Sequence, residues 1–154
     1  MNKYFIGPLI LFGGFVFTQT CPPQDTVLIV PTQNLWNIPN ENSWDGLEVM
    51  TWNVKQFPLS NNTVSYLNEV LTDLLPDVVV FQEINDLSSF QDLSSAITAY
   101  DFVNTNYGYD LGLAVRSDCI TILDYETLFP NNGYEFAYRY PLKAELRWLC
   151  GDAV

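Results

Sequence analysis

From Leu47 onward, apolar and polar positions fall into short alternating and helical runs with sharp stops between them. Leu47-Glu-Val-Met-Thr-Trp-Asn-Val54 alternates with period two. This predicts a strand with Leu47, Val49, Thr51 and Asn53 on one face and Met50, Trp52 and Val54 on the other. After Pro58 and the Ser60-Asn61-Asn62 turn, Val64, Leu67, Val70, Leu71, Leu74 and Leu75 recur at helical spacing until Pro76. That pattern is an amphipathic helix of about three turns. Asp77-Val-Val-Val-Phe81 has no alternation, as expected of an interior strand covered on both faces, and Gln82 and Glu83 follow at its end. Asp86 is placed to cap a second helix on which Leu87, Phe90, Leu93 and Ile97 share a face. Tyr100 to Asn104, Leu111 to Arg116, Cys119 to Leu123 and Leu142 to Leu149 are further strand candidates, with a Pro130-Asn-Asn-Gly133 turn before the last. The order β-helix-β-helix-β implies a layered α/β protein without internal repeats.

The first 46 residues read differently. Met1 to Thr20 carries a lone Lys3, an apolar run from Tyr4 to Phe17 and small residues at Thr18 and Thr20, which is the pattern of an export signal. Its apolar stretch is shorter than the roughly 20 residues a membrane span needs. Cys21 leaves two fates open: an ordinary residue of a secreted chain, or an acylated cysteine anchoring the protein to a membrane surface, although Thr-Gln-Thr is a poor lipobox. Residues 21–46, with Pro22, Pro23, Pro31 and Pro39, read as an extended leader in which Val27 to Val30 could add an edge strand. The expected organisation is a signal peptide (1–20), a leader (21–46) and one domain (47–154), secreted, periplasmic or surface-anchored.

Composition narrows the chemistry. A chain of 154 residues has room for one domain, and 48% hydrophobic content with four Trp, nine Tyr and ten Phe is enough to fold. A net charge of -12 disfavours binding nucleic acid through a basic patch. The absence of His removes every mechanism in which this chain supplies an imidazole. Three cysteines do not make a disulfide framework or match a zinc site, although Cys119 and Cys150 could pair in an oxidising compartment.

The polar pair Asn53 and Glu83 stands out, because open α/β sheets place ligands at the carboxyl ends of adjacent strands. A carboxylate ending a Val-Val-Val-Phe run is costly to bury without a cation or an Arg beside it. The competing reading is that Glu83 opens an exposed loop and Asn53 begins a turn. Trp52 reads as core, Lys55 as solvated, and Asn61-Asn62-Thr63 as a glycosylation sequon or a helix cap.

At these residues the chain resembles a family. Leu47-Glu-Val-Met-Thr-Trp-Asn-Val-Lys55, followed about thirty residues later by Asp77-Val-Val-Val-Phe-Gln-Glu83, is similar to the opening of the endonuclease/exonuclease/phosphatase superfamily, the deoxyribonuclease-like phosphoesterases. Gly112-Leu-Ala-Val-Arg116 resembles the next core strand, and Tyr138-Arg-Tyr-Pro-Leu-Lys-Ala-Glu-Leu146 a later Pro-Leu strand. The resemblance implies part of a four-layer α/β/β/α sandwich and a divalent cation, magnesium or manganese, at one rim. It also implies Glu83 as metal ligand, Asn53 positioning the metal site, and Arg139 or Tyr140 near the phosphate. Such a cation would bridge the acidic site to a phosphoester and stabilise charge developing at phosphorus.

The family's later Asn-x-His, Asp-x-Asn and Asp-His segments have no counterpart here. The expectation is therefore the amino-terminal portion of an exported metal-dependent phosphoesterase, inactive alone. Its substrate class stays open among nucleic acid, lipid headgroup and small phosphate ester. The alternative from a different class is a non-catalytic exported binding or structural module that reuses half the fold. Acid-base hydrolysis by paired carboxylates, as in glycosidases, finds no distinctive pair among evenly spread acids.

Overall fold

The computed structural model describes Trp36, Ile38, Pro39 and residues 46–106 and 110–149. The expected signal segment (1–20), Cys21, the Val27 to Val30 strand candidate, Cys150 and residues 152–154 lie outside these. The elements are β1 (Val49–Phe57), α1 (Thr63–Leu74), β2 (Val78–Ile84), α2 (Leu87–Ala96), β3 (Tyr100–Asn104), β4 (Asp110–Arg116), β5 (Ile120–Thr127) and β6 (Leu142–Trp148). They follow the expected order, but β1 and β2 each run three residues further than their hydrophobic patterns suggest.

Four strands form one sheet in the order β1-β2-β4-β3, and β5 and β6 form a second. β1 and β2 are parallel, joined through α1, while β4 runs antiparallel to both β2 and β3. The non-alternating Val-Val-Val-Phe run is explained by its place in the middle. Val79 and Phe81 join the core under the helices, with Leu67, Leu71, Phe90 and Leu93. Val78 and Val80 join a second core against Ile120, Ile122, Leu142, Ala144 and Leu146 of the other sheet. Helices, first sheet and second sheet are thus three successive layers among the described residues.

Phe90 organises the helix-side core. Its ring meets Phe57, Phe81 and Phe102 edge-on at centroid distances of 6.3, 5.5 and 5.6 Å. It fits because Gly112 of β4 lies beneath: a Cβ there would come within 2.6 Å of both Phe90 Cζ and Ile84 Cδ1. Both side chains are buried in the core, so one of them would have to shift within it. Gly112→Ala is therefore expected to destabilise the fold by about 1–3 kcal/mol through overpacking, read as a lower urea midpoint at unchanged m.

One local expectation needs correction. Asn62 occupies the N-cap of α1, but at φ -93° and ψ -5° it makes no side-chain cap bond. A helical cap conformation points the amide away from the first-turn N–H groups. Instead Thr63 Oγ1 accepts from Ser60 N (3.0 Å). Within the expected leader, Trp36 N donates to Glu69 Oε1 (2.6 Å), and its ring meets Tyr66 edge-on at 5.1 Å.

Asp86 does cap α2, from an extended backbone, accepting from Ser88 N (3.0 Å) and Ser89 Oγ (2.8 Å). The Ser89 bond first, then that of Ser88, hold its pKa below the ordinary 3.8. A carboxylate with a depressed folded pKa contributes stability above its unfolded pKa and loses it as pH falls through the folded one. Asp86→Asn is therefore expected to flatten the stability profile of the protein below about pH 4, checked by urea melts across pH 2.5–6.

Candidate functional site at the carboxyl ends of β1 and β2

The parallel register carries Val49 opposite Val78 through to Asn53 opposite Gln82, and breaks there. Three residues of β1 (Val54, Lys55 and Gln56) then face the single Glu83 before Phe57 meets Ile84. On the other side of β2, Phe81 pairs with Gly112 and Ile84 with Asp110, so Gln82 and Glu83 together face Leu111 alone. Both strands bulge side by side at one rim. Bulges are concentrated at sheet edges and active sites, where they re-aim side chains.

The consequence for Glu83 is concrete. Plain alternation would send it to the helix-side core beneath Phe81, where a carboxylate would be expensive. The extra residue changes the phase, so Ile84 fills that position, fully buried, and Glu83 is left half-buried at the rim. Its backbone is held at φ +64°, and Lys55 and Gln56 across from it at +40° and +56°. Left-handed backbone at a non-glycine residue costs of order 1–3 kcal/mol and persists only where its surroundings over-determine it. Here Phe57 O accepts from both Asn85 N and Asp86 N at 3.0 Å, pinning the strand ends together beyond the bulge.

Asn53 sits one step from Glu83 across the strand pair. Its Oδ1 accepts from Lys55 N (2.9 Å), which closes the turn into the bulge, while Gln82 Nε2 donates to Thr51 Oγ1 (2.8 Å). Asn53 thus lies within β1 at the edge of the bulge, opposite Gln82, the residue before Glu83. The Glu83 carboxylate has no hydrogen-bond or ion-pair partner among the described residues.

The guanidinium that could neutralise a strand-end acid is committed elsewhere. Arg116 is buried at the opposite end of β4, bonded to Asp118 through Nη2 (2.8 Å) and Nε (3.1 Å) and to Asp77 through Nη1 (3.4 Å). Burial opposes its charge, but Asp118 and Asp77 outweigh burial and raise its pKa. Nearby, burial pushes the Tyr100 hydroxyl well above its ordinary pKa, so it stays protonated and donates to Pro76 O (2.8 Å).

Arg139 and Tyr140 lie on the loop between β5 and β6, in the second sheet's layer. Arg139 is exposed, whereas Tyr140 is buried with its hydroxyl over Gly133. A tight turn at Arg116–Cys119 reverses the chain after β4. One neighbour was not singled out in the sequence: buried Asp110, opposite Ile84, accepts from Thr105 Oγ1 (2.9 Å), which itself accepts from Leu111 N (2.9 Å). A polar residue opening an apolar strand is its only trace in the sequence. Among the described residues no group of three or more Cys, Asp or Glu side chains is placed to enclose a metal ion.

No protein-family model matches the sequence, and no curated protein matches it. Solved structures do match. A crystal structure of D. rerio TDP2 humanized by 14 mutations, and one of D. rerio TDP2 complexed with a single strand DNA product, each align at TM-score 0.56 and 26% identity. Both alignments cover 66% of this chain. The chain has the fold of the endonuclease/exonuclease/phosphatase superfamily. It spans 44% and 41% of the two TDP2 chains, less than half of each. The β/α/β opening and the strand-end pair therefore occur here in a fold that resembles part of the deoxyribonuclease-like fold of TDP2.

Proposed function

We propose that this chain supplies the strand-end corner of a divalent-metal phosphoesterase site acting on nucleic acid, with Glu83 as a ligand for magnesium or manganese and Asn53 setting its neighbourhood. The observation that carries the reading is Glu83 itself: a carboxylate without a partner among the described residues, held at φ +64° in a paired bulge beside Asn53. A purely structural acid gains nothing from that conformation, whereas an ion ligand gains a fixed direction. The donor set fits a divalent cation as one hard oxygen ligand with an amide nearby, not as a complete cage, since such sites recruit several oxygens.

A bound cation would polarise the phosphoryl oxygen and offset charge on both protein and substrate. The chain's own residues contribute placement. The two bulges hold the carboxylate at the rim, the Asn53–Lys55 bond fixes the adjoining backbone, and the Asp110–Thr105 bond closes the β3–β4 connection at the start of β4. The 154 residues contain no His to move the proton of an attacking water. We therefore expect no turnover from this chain by itself. The single strand DNA product bound to its structural neighbour supports an unpaired nucleic-acid strand as substrate class. Export rests on the apolar run from Tyr4 to Phe17 and the small residues at Thr18 and Thr20.

The test is linkage. Manganese at several millimolar is expected to raise the melting temperature of the wild-type chain by mass action, and Glu83→Gln to abolish most of that rise. An equal rise in the variant would assign the effect to the acidic surface at large and contradict the proposal.

A further inference from the structure

The β5–β6 connection, residues 128–141, is an unusual loop. Phe129, Ala137 and Tyr138 all have left-handed backbone, at φ +54°, +50° and +58°. A loop that merely joined two strands would place Gly or Asn at such positions, where left-handed φ has little cost. The shape is nonetheless tightly fixed. Leu128 N donates to Pro141 O at the base (2.8 Å), Tyr138 N to Gly133 O (2.7 Å) and Ala137 N to Tyr134 O (3.2 Å). Phe129 and Phe136 stack with centroids 5.3 Å apart and planes 14° from parallel. Gly133 is required because a side chain there would run into the Tyr140 hydroxyl and the Tyr138 ring.

This order holds two rings in water. Tyr134 is 86% exposed and Tyr138 59% exposed. The bonds between residues 133–134 and 137–138 make the two tyrosines leave neighbouring points of the backbone. The charge around them departs from that of the whole. Residues 128–149 carry Arg139, Lys143 and Arg147 against Glu135 and Glu145, with Lys143 paired to Glu126 of β5 at 2.6 Å, which leaves Arg139 and Arg147 as the guanidinium groups of this stretch. All three basic side chains are exposed. Rigid, exposed aromatic faces beside exposed guanidinium groups suit a ligand that is both flat and anionic.

We infer that the β5–β6 loop is a stacking platform for the bases of an unpaired nucleic-acid strand, with Tyr134 and Tyr138 as the faces and the Arg139–Arg147 stretch lying along its phosphates. Stacking needs no sequence readout and tolerates any base, which suits a substrate recognised as a single strand. The inference deepens the proposed phosphoesterase reading and rests on it for the substrate class. Because the overall charge is -12, the rings supply most of the attraction and the salt dependence of binding is shallow.

The experiment is fluorescence anisotropy with a labelled eight-residue oligothymidylate, the full chain, and EDTA throughout. Excluding metal separates the platform from the Glu83 site, whose failure is read independently by the manganese melts. Tyr134→Ala and Tyr138→Ala are each expected to weaken binding by roughly 10-fold, with Phe at either position restoring it. An abasic oligomer of the same length is expected to bind at least roughly 10-fold more weakly than the oligothymidylate. Tyr134 is so exposed that its Ala variant keeps the wild-type melting temperature, which makes it decisive even if Tyr138→Ala loosens the loop. Equal affinity for the abasic oligomer, or no change in Tyr134→Ala, overturns the inference. So does binding to phosphatidylcholine–phosphatidylserine vesicles that the same two substitutions abolish while oligomer binding is unaffected, since the rings would then be a membrane contact.

Discussion

Replacing Arg116 with Ala is expected to cost about 3–5 kcal/mol of folding stability, a large share of what a domain of this size possesses. The reason is what the substitution strands. Asp77 is 3% exposed and faces the guanidinium at 3.4 Å. Its other oxygen accepts from Glu48 N at 3.0 Å, so it ties the start of β1 to the start of β2. Without Arg116 that carboxylate is a buried group with one backbone donor and no compensating charge. Asp118, with its side chain 24% exposed, can turn to solvent. Asp118→Ala is accordingly expected to cost much less than Arg116→Ala, in urea melts at pH 7. Equal costs would mean that the Asp77 end of the network carries little of the load.

Glu83 should show the opposite behaviour, being a residue the fold would do better without. Glu83→Gly removes the side-chain clash of left-handed backbone and is expected to stabilise the chain by about 1 kcal/mol relative to Glu83→Gln. Both variants lose the manganese response. A position where glycine folds better and the acid alone supports an ion is the signature of strain retained at a functional site. A Gly variant less stable than the Gln variant would show that the Glu83 side chain packs in a way its exposure does not suggest, and would weaken that reading.

Much of this was legible in residue order. The period-two run before Asn53 and the solid Val-Val-Val-Phe run before Glu83 correspond to β1 at a sheet edge and β2 inside it. The helical spacing of Leu67 and Leu71 marks the buried face of α1. What escaped were features set by cross-strand register. Glu83 reads as the residue after a strand because nothing local, neither Gly nor Pro, announces a bulge; the partner strands impose it. Asn62 is a good cap by type but not by backbone angle. The aromatic count suggested core material, yet Tyr134 and Tyr138 are displayed to solvent by a loop whose left-handed residues are themselves bulky. Trp36 reads as leader, and its contact with Glu69 joins positions 33 residues apart.

The most direct test of the account is where a manganese ion settles. In heteronuclear NMR spectra of the wild-type chain, paramagnetic broadening at low manganese is expected to be strongest at the amides of Asn53, Gln82, Glu83 and Ile84, and to vanish there in Glu83→Gln. Broadening centred instead on exposed acids such as Asp124 and Glu126, and unaltered by that substitution, would contradict it.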